Sequence, residues 1–92
     1  MDDHQIGYQA LPRGVPVVSA DGVEVGTVHR VLDNAREHIF DGSELRTPDG
    51  LRFDDAPEVV RITEHRVTLS ISAEEAQALP EVRRGWRRWL SR

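Results

Sequence analysis

The sequence predicts a small all-β domain, and three features carry that reading. Turn signals recur at short intervals: Pro12-Arg13-Gly14, Asp21-Gly22, Asp33-Asn34, Pro48-Asp49-Gly50 and Asp54-Asp55-Ala56-Pro57 divide the chain into pieces of strand length. The stretch RVTLSIS alternates Val67, Leu69 and Ile71 with Thr68, Ser70 and Ser72, the two-residue period of a strand with one buried face. The stretch after Gly22 holds three valines and an interior glycine, which penalise a helix and favour a strand. At 92 residues the chain forms one domain with a thin core.

Residues 1–14 read as a lead-in, residues 15–80 as the domain and residues 81–92 as a tail. Within the domain, SADGVEVGTV (Ser19–Val28) has the look of a motif. Asp21-Gly22 is expected to be a hairpin turn, with the glycine supplying positive φ. Val25 and Val28 cannot share a face by simple alternation, so a bulge at Gly26 is expected to restore the parity. A phosphate-binding reading fails because the glycine spacing matches neither nucleotide fingerprint and no helix begins after it. A calcium reading fails because Asp21 and Glu24 are two carboxylates where an oxygen cage needs six or more ligands. Val17, Val28, Phe53, Ile62, Val67, Leu69 and Ile71 are expected to form the core.

A short helix over residues 73–79 has its start written in. Ser72 as cap and Glu75 three residues on make a capping box, Ala73, Ala76 and Leu79 share a face, and Pro80 ends the helix. The tail EVRRGWRRWLSR follows, with both tryptophans of the chain. On a helix from about Glu81 to Leu90, Val82, Trp86, Trp89 and Leu90 fall on one face and Arg83, Arg84, Arg87 and Arg88 on the other. Such a segment can dock on protein, its own domain or a second copy, or lie in a layer of lipid headgroups.

Composition narrows the function classes. The chain has 38% hydrophobic and 30% charged residues, as globular domains do, and no cysteine, which removes disulfides and thiolate chemistry. No apolar run approaches the roughly 20 residues of a spanning helix, and MDDHQ is an acidic opening unlike that of a signal peptide. A cytoplasmic protein is therefore expected. Residues 1–80 carry 7 Arg against 15 Asp and Glu, whereas residues 81–92 carry 5 Arg against one Glu. An acidic body argues against nucleic-acid binding and confines any anion-seeking surface to the tail. All twelve basic residues are Arg, as a GC-rich genome would give through its codons.

The segments YQALPRGVPVVSADG, EVGTVHRVLD, IFDGSELRTPDGLRFDDAPEVVRI and EHRVTLSISAEEAQALP together resemble the PRC-barrel family, and most of all its small bacterial stand-alone members. The resemblance covers roughly Tyr8 to Pro80 and rests on Gly14, Pro16, Val17, Asp21, Gly22, Gly26 and Val28, then Ile39, Phe53, Val59, Ile62, Val67 and Leu69. It implies a small antiparallel β-barrel of about six strands with a short C-terminal helix, serving interaction or assembly. It brings no catalytic residue, because the matching positions are structural. Ser43-Glu44 departs from the pattern by placing polar residues where such a strand is usually apolar.

The residues that could do chemistry form no set with a mechanism. His4, His29, His38 and His65 lack metal-site spacing, although His29 and His38 could approach across a hairpin. Asp54 and Asp55 are neighbours that point opposite ways on an extended chain, which favours turn formation over a shared proton. No motif places a His and an acid around any serine. The sequence thus nominates no catalytic, cofactor-binding or metal-binding residue. It predicts a non-enzymatic module, homodimeric, with Arg83, Arg84, Trp86, Arg87, Arg88 and Trp89 as its interaction residues. The alternative is an adaptor that binds a membrane or other anionic surface through the same tail.

Overall fold

The Asp21-Gly22 turn forms as its residues dictate. Gly22 takes a φ of 83°, a left-handed conformation that costs glycine no steric strain, and the chain reverses from β1 (Pro16–Val18) into β2 (Glu24–Asn34). There follow β3 (Ile39–Thr47), β4 (Gly50–Asp55), β5 (Val59–Ile62), β6 (Val67–Leu69) and the helix α1 (Ala73–Ala76). The computed structural model describes residues 5–34 and 39–82. Its strands form one sheet in the order β4-β3-β2-β1-β6-β5.

Two expectations about this sheet need correction. Neighbouring strands are antiparallel except β1 and β6, which run parallel, so the sheet is mixed. The sheet is also not closed into a barrel: among the described residues no ladder joins its edge strands β4 and β5. It is nonetheless curled. Only the turn Ala56–Glu58 separates β4 from β5, and four chain steps of about 3.8 Å span at most about 15 Å. The edges of a flat six-stranded sheet would lie about 24 Å apart.

Closure is replaced by cover from the ends of the described chain. Beside β5, the Ile6 amide donates to the Ile62 carbonyl at 2.8 Å. Beside β4, the Phe53 amide donates to Pro80 at 2.9 Å and the Val82 amide to Leu51 at 3.0 Å, with Glu81 bridged to Arg52. These bonds occupy backbone groups that an open edge would offer to another chain. Glu81 and Val82 are therefore extended, and the helix expected from Glu81 does not start there. The rest of that helix lies outside the described residues.

The bulge in β2 falls beside the expected position. Val17 pairs with Gly26 and Val18 with Glu24, which leaves Val25 as the extra residue and lets both Val25 and Val28 pack in the core. Gly26 is not in the left-handed region. Its constraint is a close approach, because a Cβ there would stand 2.5 Å from the Arg46 carbonyl oxygen of β3. β2 continues through Asp33-Asn34, where a turn was expected, and β4 through Asp54-Asp55.

The main core joins Val15, Val17, Val28, Leu45, Val67, Leu69, Ala76 and Leu79. Phe53 and Ile62 are buried as expected, whereas Ile71 is only half-buried and packs against the cluster. The capping box is present in full: Ser72 Oγ accepts from the Glu75 amide at 3.1 Å and Glu75 Oε1 from the Ser72 amide at 2.8 Å. The α-helix ends at Ala76, three residues earlier than expected, and the chain reaches Leu79 through i to i+3 bonds. Ala76 and Leu79 still face the core.

Candidate functional site

Three places gather polar chemistry, and the motif-like turn is the first. Ser19 Oγ donates to the Asp21 carboxylate and accepts from the Val23 amide at 3.1 Å. The Ala73 amide, at the start of α1, donates to Asp21 Oδ1 at 3.0 Å. The Ser19 and Ala73 bonds hold the Asp21 carboxyl below its ordinary pKa, because both favour the charged form. The most motif-like stretch of the sequence thus clasps the β1–β2 turn to the helix.

The second place is polar and buried. Glu44 is 2% exposed and pairs bidentately with Arg30, Nε to Oε1 at 3.1 Å and an Nη to Oε2 at 3.2 Å. The departure at Ser43-Glu44 is resolved here, since a fork of two charge-assisted bonds compensates the buried carboxylate. Ser43 and Asp54 oppose each other across β3 and β4. Both are buried, and among the described residues the Ser43 hydroxyl has no hydrogen-bond partner. The Asp54 pKa is pushed up to about 8, first by burial, then by the Glu58 carboxyl, which competes for the proton and repels the charged form, then by Asp55. Asp55 is pushed up as well, by burial and by Glu58 and Asp41. Asp54 and Asp55 do point to opposite sides, one buried and one exposed.

The third place is a hollow of about 180 Å³ between β2, the β3–β4 turn and α1. Its wall includes Val25, Leu45, Ala76 and Leu79, with Glu24, Asp49 and Arg52 at the polar part of the lining. Arg52 donates to the Leu79 carbonyl at 2.9 Å, which fixes the end of the helical segment against β4. The chain then passes Pro80 and leaves along β4 at Val82.

The interaction residues nominated by the sequence, Arg83, Arg84, Trp86, Arg87, Arg88 and Trp89, lie outside the described residues, as do His4 and His38. His29 sits beside Arg46, with its Nδ1 3.2 Å from a guanidinium nitrogen. Among the described residues no three His, Asp or Glu side chains are arranged to hold a metal ion. Nor is any helix among them long and apolar enough to cross a membrane. Sequence reading missed the buried state of Asp54 and the hollow, and only the polarity of Ser43-Glu44 in a strand hinted at the first. Neither any model of a known protein family nor any curated protein matches the chain.

Proposed function

We propose that this protein is a non-enzymatic interaction or assembly module of PRC-barrel type that acts as a homodimer and engages a protein partner through its Arg/Trp tail. The observation that carries this reading is the pairing of Glu81 and Val82 with β4. It fixes on the sheet the point after which a segment with five arginines and two tryptophans follows in the sequence, as a recognition element requires. The polar residues of the motif-like turn, by contrast, are spent on holding that sheet to its helix. Self-association is supported by β5, where Val60 is 55% exposed beside the half-buried Ile6 and Val59. Exposed valine on an edge strand is what a second copy could cover.

A second reading, an adaptor for an anionic membrane surface, is favoured by the mixture of Arg and Trp in the tail. One experiment separates them. Immobilised full-length chain and a variant with Arg83, Arg84, Arg87 and Arg88 changed to Glu are compared for protein capture and for co-sedimentation with phosphatidylglycerol vesicles. The interaction module predicts a protein captured by the native chain alone, without vesicle binding. Vesicle binding lost in the variant supports the adaptor, and identical behaviour of both chains in both assays rejects any role for the tail.

A further inference from the structure

We infer that the hollow beside α1 is a docking pocket for one phenylalanine-sized side chain of a partner protein, on a segment where that side chain stands between basic residues. The inference goes beyond the role proposed for the tail, because it draws only on residues 21–79. Size comes first. A hollow of about 180 Å³ is below the roughly 300 Å³ at which small-molecule sites begin and close to the cavity of about 150 Å³ known to take a benzene-sized ring. Val25, Leu45, Ala76 and Leu79 in its wall belong to the main core or pack against it, so an occupant extends that core. Val23, 46% exposed, stands in the same lining. The walls are held in place before any partner arrives. Thr47 Oγ1 donates to the Gly50 carbonyl at 2.8 Å and accepts from the Asp49 amide at 3.2 Å, which fixes the β3–β4 turn. The capping box and the Asp21 bond fix α1. A preformed pocket that takes one ring has the form of an interface hot spot.

Charge then selects the partner. Glu24 and Asp49, both exposed, place two carboxylates in the lining, and among the described residues neither makes an ion pair. The Arg52 guanidinium, also in the lining, is directed at the Leu79 carbonyl at 2.9 Å. Residues 1–80 carry 7 Arg against 15 Asp and Glu, so the body that bears the hollow is acidic as a whole. The phosphates of a nucleic acid or an anionic lipid meet like charge there. A wholly apolar segment would desolvate the two carboxylates and give them no partner. A segment with Arg or Lys on either side of the ring satisfies the apolar wall and the carboxylates together, and its charge steers the encounter.

The probe is a peptide with blocked ends, one phenylalanine between two pairs of arginines, titrated into the full-length chain. In methyl NMR the signals of Val23, Val25, Ala76 and Leu79 should shift and saturate together. Replacing the peptide's phenylalanine by alanine should weaken binding about tenfold or more. Reversing the rim with Glu24→Arg and Asp49→Arg should weaken binding of the basic peptide about tenfold, with cooperative unfolding retained. The same double variant should gain affinity for a peptide in which glutamates replace the arginines, a rescue that a merely distorted hollow would not give. Absence of binding to the native chain overturns the inference. So does binding that ignores the phenylalanine or the charge reversal, or that shifts methyls elsewhere instead. Shifts of these four residues as protein concentration alone rises also overturn it, in favour of a second copy as the occupant.

Discussion

At the scale of single residues, two positions are governed by what surrounds them more than by their own type. Gly26 has ordinary φ, yet the Arg46 carbonyl leaves no room for a Cβ. Gly26→Val should therefore destabilise by about 1 to 3 kcal/mol through overpacking between β2 and β3, read from urea unfolding; an unchanged midpoint would refute the close approach. Asp54 is the second. Its pKa is raised from 3.8 to about 8 in the folded chain, so between these values the folded state keeps a proton that the unfolded state has lost. The stability it contributes is complete below the unfolded value and is lost as pH rises through about 8. Asp54→Asn should be near neutral at pH 4 and increasingly stabilising as pH rises toward 8. A pH-independent difference would contradict the burial assigned to this carboxyl. Asp21 has the opposite sign: its lowered pKa supplies stability above the unfolded value that disappears as pH falls through the folded one.

At the scale of elements, local chemistry was legible and pairing was not. The Ser72–Glu75 capping box, the Asp21-Gly22 turn and the alternation of Val67 and Leu69 appear in the structure as the residues imply. Each depends on neighbours within a few positions. The four-residue α1 cannot stand alone and is held by its cap, the Asp21 bond and the burial of Ala76 and Leu79. Ser72→Ala should then cost about 1 kcal/mol, checked by thermal unfolding, whereas no change would mean that packing alone fixes the helix. Leu69, fully buried, should cost about 2 to 5 kcal/mol when cut to alanine. By contrast, the burial of Glu44 is compensated by Arg30 fourteen positions away, a partner that only the β2–β3 register brings near. The parallel pairing of β1 with β6 joins residues 50 apart, Val17 with Val67. The extension of Glu81 and Val82 is set by the free edge of β4, and the amphipathic pattern of the tail gives no sign of it.

At the scale of the whole molecule, the sheet curls far enough to enclose a core and stops short of closure. Its two edges are adjacent in sequence and covered by the ends of the described chain, so the fold needs neither a seventh strand nor a β4–β5 ladder to protect its backbone. Among the described residues it leaves two large apolar side chains exposed, Val23 beside the β1–β2 turn and Val60 on β5. The Val60 surface, on an edge strand, is where the proposed homodimer would form, away from the edge that Glu81 and Val82 cover. An isologous contact puts the same patch on both subunits, so one charged substitution enters the interface twice. Sedimentation equilibrium of the full-length chain is the most direct test of the assembly reading. The account predicts twice the chain mass for the native protein, and a single-chain mass for Val60→Glu with its unfolding transition retained. A native protein of single-chain mass at every concentration, or a Val60→Glu variant that stays dimeric, would contradict it.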